Sequence, residues 1–373
     1  MRVLFATVTG YGHVNPVLPL ADALARAGHA VTFATGADMH DLLTGAGHRL
    51  LPAGLTAAEQ AVAMADVRPP GLSPAETVAF AYGVLFPRLH APRMLPELSR
   101  VVDDVRPDLL VCDSAELTTP LVGTLRDIPW VQHSYGIVRP AYAWRLAADA
   151  VRPLWASHGL DVPARAGMFG GAYLDVCPPT LQSAEISSVT DRLALRPSHA
   201  PDATPERAPS DVPHVLVSFG TVFNRDLGPL VESLAMLPVE FTVTTGPGAS
   251  AAMFPNLRDG VRVVEYLPLG EVLPACAAVV THGGSGTMLA ALAHGVPLVV
   301  VPHGADNLYN GERVAEVGAG LCVETIEQVP DALMTVLRNP SFRDAARVIA
   351  AEIEQLPDAD DVAAQLAKRY ALR

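Results

Sequence analysis

Five prolines, at positions 197, 201, 205, 209 and 213, recur every four residues in "RPSHAPDATPERAPSDVP" (196–213). That spacing forbids a helix, which would lose a hydrogen bond and gain a clash at each ring, and it forbids an interior strand. The stretch reads as a semi-rigid extended linker. It divides the 373 residues into two halves, each long enough to bury its own core.

Both halves alternate short apolar runs with helical spacing. "RVLFATV", "AVTFAT" (30–35), "PDLLVCD" (107–113) and "PWVQHS" (129–134) read as strands in the first. "HVLVSFG" (214–220), "EFTVTTG" (240–246), "VRVVEYL" (261–267), "AVVTHG" (278–283) and "PLVVVP" (297–302) read as strands in the second. Continuous apolar strands between helices predict parallel sheets covered on both faces. The expected class is α/β, with two Rossmann-like, doubly wound domains. The expected division is 1–196, a linker at 197–213, a second domain at 214–357, and a tail at 358–373. Ligands of such sheets bind at the carboxyl ends of the strands, and two such edges are expected to face each other across a cleft.

Composition narrows the function. The net charge of −13 argues against nucleic acid and anionic membrane as partners. A phosphate-bearing ligand must then be held by local backbone geometry. Cys112, Cys177, Cys276 and Cys322 form no CxxC pair and no cluster, which predicts free thiols and neither a zinc site nor a disulfide framework. The most apolar stretch, "MLAALAHGVPLVVVP", is broken by His294, Gly295 and Pro297 and is too short to span a bilayer. The first apolar run leads into a Gly-His turn and reads as a strand, not a signal peptide, so a cytoplasmic protein is expected.

The turn "TGYGHVNPVLPLADAL" (9–24) begins as a dinucleotide fingerprint does, yet Asn15 stands where the third glycine is required. Asn15 suits an N-cap and Pro16 the first helical position, with Gly28 closing that helix. His13 on its own reads as a helix-entry histidine bonded to nearby backbone, and Asp113 as a cap of the next helix.

The stretch "VVTHGGSGTMLAALAHGVPLVVVPHGADNLYN" (279–310) carries more information. A strand ends at His282, and glycines and hydroxyls then open a helix, a ready site for a diphosphate. The lysine of a phosphate-binding P-loop is absent. Asp306 and Asn307 follow another strand end and suit sugar hydroxyls, although Asp306 also reads as an N-cap.

The chain resembles the antibiotic and macrolide glycosyltransferases of GT-B fold, relatives of the UDP-glycosyltransferases of family 1. The resemblance rests on "VTHGGSGT", "GVPLVVVPHGADN", "EYLPLGEVLPACAAVV", "SFGT" (218–221) and the N-terminal "GYGHVNP", in that order. It implies a diphosphate site at His282, Gly284, Ser285, Gly286 and Thr287, with Thr221 a second phosphate contact. It places Tyr266 on the nucleotide base and the backbone of Leu267 at the base edge. Asp306 matches the sugar-binding acid, and Asn307 replaces the usual Gln, which puts the donor sugar in question. It makes His13 the catalytic base and Asp113 the acid that orients it.

An imidazole suits removal of a hydroxyl proton near neutral pH. The expectation is therefore an inverting transferase that moves a sugar from a dTDP- or UDP-sugar to a natural-product aglycone. No cofactor and no metal are expected. Asp358-Ala359-Asp360 reads as a helix-start cap rather than a metal site, and the tail helix (about 361–371) resembles the family's segment that returns to the N-terminal domain. Phe80, Phe86, Tyr135 and Trp144, with Tyr82, Tyr142 and Phe169 nearby, are candidates to line an apolar acceptor site, although single aromatics are more often core. The alternatives are a catalytically silent partner of an active transferase and a nucleotide-sugar epimerase. The oligomeric state stays open, with a homodimer one option.

Overall fold

The computed structural model describes residues 1–198, 201, 212–219, 227–246, 254, 260–304 and 306–371. Most of the proline-rich stretch, and Thr221, lie outside the described residues. The chain forms two compact units. The first comprises Met1–Val176, Ala184–Ser198 and Pro357–Arg373, and the second Cys177–Ser183 and His199–Leu356.

The first unit holds seven parallel strands: β1 (Arg2–Ala6), β2 (Ala30–Thr35), β3 (Arg49–Pro52), β4 (Leu109–Asp113), β5 (Trp130–His133), β6 (Ala172–Asp175) and β7 (Arg192–Ala194). Their order is β3-β2-β1-β4-β5-β6-β7. The second holds β8 (His214–Ser218), β9 (Glu240–Thr244), β10 (Val261–Val264), β11 (Ala278–Thr281), β12 (Leu298–Val300) and β13 (Gly320–Cys322), in the order β10-β9-β8-β11-β12-β13. In both sheets the strand order reverses once, between β1 and β4 and between β8 and β11. In a doubly wound sheet that switch point is where ligands bind.

The central strands are apolar throughout, as two covered faces require. All of β4 is buried, and Phe5 of β1 stacks on Phe33 of β2 with ring centres 5.1 Å apart. In the second unit Val215, Val217, Phe241, Val280 and Val299 pack against Leu230, Leu234, Leu333 and Val336 of the covering helices.

The chain after β1 differs in detail from its sequence reading. The helical path begins at Tyr11, with Gly10 as N-cap at φ +126°, a conformation that favours glycine. Asn15 is therefore inside the turn rather than capping it. Pro16 and Pro19 supply no N–H, and Asn15–Val17 narrows to a 3₁₀ turn before the helix Leu18–Arg26. That helix ends as expected: Gly28 lies at φ +84°, its N–H bonds Ala25 O, and the His29 N–H bonds Leu24 O.

The final helix, Ala359–Tyr370, starts on Asp358, whose carboxylate accepts the Asp361 N–H at 2.8 Å. It packs on Leu18–Arg26, with Arg26 and Asp360 paired at 2.7 Å. Among the described residues no helix is long and apolar enough to cross a membrane.

Candidate active site

In the first unit the switch point brings together two residues separated by 100 positions. β1 delivers the turn that carries His13, and β4 ends on Asp113. The His13 Nδ1–H donates to Asp113 Oδ1 at 3.2 Å. A carboxylate only accepts, so Nδ1 carries a proton, and in the neutral ring Nε2 is the nitrogen that holds the lone pair. Asp113 is 1% exposed and His13 23%, so the acid is sealed while the imidazole reaches solvent. The Val8 N–H donates to Oδ2 at 2.9 Å and the Ala115 N–H to Oδ1 at 2.6 Å. Asp113 therefore bonds His13 and the nearby backbone, but it does not cap the next helix as the alternative reading of the sequence had it.

The helix that follows, Thr119–Arg126, is capped by Glu116 instead. Its buried carboxyl accepts the N–H groups of Thr118 and Thr119 at 2.8 and 2.9 Å, as well as both hydroxyls. Burial raises its pKa against those donors.

Aromatic side chains surround His13. A wide-turned π-helix at Ala81–His90 places Tyr82, Phe86 and His90 four residues apart. Tyr135 and Phe86 meet the His13 ring edge-on, with centres 5.3 and 6.1 Å away. The Tyr82 and Tyr135 hydroxyls are 3.1 Å apart. Trp144 is 3% exposed, packs edge-on to Tyr82 and Phe169, and donates its indole N–H to Arg139 O. Phe80 is half-buried at the end of the helix Pro74–Phe80. His90, absent from the sequence reading, is buried with Nε2 2.7 Å from Gln60 Oε1. Burial first, then the nearby His13, lowers its pKa to about 4.

In the second unit β11 ends in the loop His282–Gly284, and the helix Ser285–Ala293 begins there. The N-cap residue, Gly284, has no side chain to cap that helix and the first turn holds no acid, so its leading N–H groups have no intrahelical acceptor and no capping side chain from Gly284. Two glycines of this loop sit in close quarters, and Gly283 also lies at φ +92°. A Cβ on Gly283 would lie 2.6 Å from Val300 Cγ1, and one on Gly284 would lie 2.6 Å from His282 Nε2. Gly286 is exposed with open space where its Cβ would be, and Thr287 is half-buried beside it. His282 is buried beside Phe219 and bonded to the Ser218 backbone, and burial lowers its pKa to about 4. It is neutral at pH 7, so attraction for an anion rests on the helix terminus and not on the ring.

Ser285 donates its hydroxyl to Asp306 Oδ2 at 2.5 Å, which joins the loop to the turn after β12. Asp306 is the N-cap residue of the helix Asn307–Glu316 by position, but its side chain makes no capping bond. Asn307 is 1% exposed, and its Nδ2 has no partner among the described residues. Tyr266 stands 74% exposed and Leu267 is half-buried after β10. Asn310 is a residue the sequence reading missed. Its position four after Asp306 on one helix is the signal that could have found it.

Residues 229–368 match the family described as Erythromycin biosynthesis protein CIII-like, C-terminal domain. The whole chain is 33% identical to an L-demethylnoviosyl transferase of Streptomyces niveus, covering 98% of both proteins. It is 35% identical to elloramycin glycosyltransferase ElmGT of Streptomyces olivaceus, covering all of this chain and 98% of the relative. The chain belongs to the antibiotic glycosyltransferase family. The crystal structure of glycosyltransferase SsfS6 from Streptomyces sp. SF2575, complexed with thymidine diphosphate, shares the fold at a TM-score of 0.81 and 27% identity, over 99% of each chain. The two doubly wound sheets are those of a GT-B glycosyltransferase.

Proposed function

We propose that this glycosyltransferase moves a sugar, with inversion, from a dTDP-sugar to a hydroxyl of a natural-product aglycone. The observation that carries the reading is the uncapped glycine loop at the β8/β11 switch point, a diphosphate cradle of backbone N–H groups in a chain of net charge −13. The SsfS6 complex with thymidine diphosphate favours dTDP over UDP. The names of the relatives, an L-demethylnoviosyl transferase and an elloramycin glycosyltransferase, favour an antibiotic scaffold as acceptor.

In this reading Gly284, Ser285, Gly286 and Thr287 hold the diphosphate, with Thr221 as a further contact. Tyr266 stacks on the base, Leu267 meets its edge, and Asp306 with Asn307 serves the sugar. The acceptor hydroxyl gives its proton to His13 Nε2 and its oxygen attacks the anomeric carbon from the face opposite the diphosphate. The carbon–oxygen bond to the diphosphate breaks, and the departing charge is stabilised by the helix N-terminus. Asp113 stabilises the imidazolium and holds its tautomer. No metal is required, because the helix terminus supplies that stabilisation. Phe86 and Tyr135, edge-on to His13, border the acceptor.

Mass spectrometry of mixtures of dTDP- or UDP-sugars with pooled polyketide aglycones tests the reading. Adducts of one hexose or deoxyhexose, formed from dTDP donors, support it. Release of free nucleotide with no adduct, or no nucleotide binding at all, contradicts it.

A further inference from the structure

The helix Asn307–Glu316 carries one polar side chain that touches three parts of the donor site. Asn310 is fully buried. Its Nδ2 donates toward Gly283 O at 2.8 Å, Ser285 Oγ at 3.0 Å and Asp306 Oδ2 at 3.0 Å. Its Oδ1 has no partner among the described residues. The amide orientation follows from the chemistry: turned over, the oxygen would face a carbonyl and a carboxylate, neither of which can donate. Ser285 closes the triangle through its own bond to Asp306 Oδ2. The Asn310 N–H meets Asp306 O at 3.1 Å, so backbone and side chain hold the same two residues together.

We infer that Asn310 is a positioning residue that locks the Asp306 carboxylate to the glycine loop, so that sugar recognition is set by the same element that cradles the diphosphate. The inference rests on the donor-site reading above. Gly283 is the corner of the loop, Ser285 opens its helix, and Asp306 is the proposed sugar ligand. Fixing all three from one buried amide removes the carboxylate's freedom to turn away from the sugar. A low-dielectric setting strengthens each of these bonds and makes any loss costly. The bonds to Asp306 act on the sugar, while the bond to Gly283 acts on the loop.

The test is calorimetric titration of the full chain with dTDP and with dTDP-glucose. The wild type, Asn310→Ala, Asp306→Ala and the double variant are compared through the ratio of the two Kd values. Asn310→Ala is expected to shift that ratio at least fivefold against dTDP-glucose. In the Asp306→Ala background the same change is expected to shift it less than twofold, because the carboxylate to be positioned is gone. Asn310→Ser, which keeps a short donor unable to span all three acceptors, carries the test if the alanine variant does not fold. An equal loss for both ligands, or an undiminished shift without Asp306, makes Asn310 a purely structural residue and overturns the inference while leaving the donor site standing. A wild type that binds neither ligand overturns the donor-site reading, and this inference with it.

Discussion

His13 and Asp113 meet at 3.2 Å, and the carboxylate that receives the imidazole N–H is also held by the backbone N–H groups of Val8 and Ala115. Three donors on one buried acid leave it a single orientation. The histidine, anchored on one ring nitrogen, presents the other.

Asp113→Asn keeps the shape and loses that arrangement. An amide has one acceptor oxygen for three donors, so at least one N–H is left facing another N–H. Turnover is expected to fall by roughly 10²–10⁴ with little change in donor Kd. Stability is expected to fall by about 1–3 kcal/mol from the unsatisfied buried donor. Steady-state kinetics beside a urea titration separates the two effects.

Two glycines of the donor loop are expected to part company. Gly284→Ala places a Cβ 2.6 Å from His282 Nε2, so the loop or the ring must move, and both folding and dTDP binding suffer. Gly286→Ala meets nothing in the protein and sits in the first helical turn, where alanine is favoured by up to about 1 kcal/mol. It is expected to leave thermal stability unchanged or raised while weakening dTDP binding tenfold or more. Unaltered dTDP affinity in that variant moves the diphosphate away from Gly286.

Acid is expected to loosen both units. His90, His133 and His282 are buried, and burial is the first cause that brings each pKa down to about 4 from an ordinary 6.5. Between those values the unfolded chain binds protons that the folded chain does not. Stability is therefore complete above pH 6.5 and falls as the pH drops toward 4, by an amount on the order of 3 kcal/mol for each histidine. Urea unfolding at pH 7.5, 6 and 5 checks the sign. Stability that holds constant or rises toward pH 5 contradicts it.

Much of the fold is legible because the central strands are buried on both faces. β1, β2, β4 and β5, and the five strands from β8 to β12, stand out as apolar runs. The four strands missed are short. β3, β7 and β13 close the edges of their sheets, and β3 and β7 are partly exposed, so they carry no run. β6 is wholly buried but follows Gly170-Gly171, which reads as a loop. Gly171 is needed there because a Cβ would lie 1.9 Å from Trp130 O on β5, and Gly320 does the same for β13 against Leu298 O at 2.1 Å. Close backbone approach and a loop look alike in sequence.

The geometry of the proposed site was legible where chemistry and chain position coincide: His13 meets Asp113 and the glycine loop opens a helix. Asn310 was not, because its partners Gly283 and Ser285 lie 27 and 25 residues away and only the sheet order brings them to it. Trp144 shows the converse: a large aromatic near the proposed acceptor site that spends its indole N–H on Arg139 O inside the unit.

The most direct test of the account compares transfer and dTDP binding in the wild type and in His13→Ala. Sugar transfer to the aglycone is predicted to fall by roughly 10²–10⁴ while the Kd for dTDP stays within a factor of two. Transfer that persists at the wild-type rate without the imidazole contradicts it.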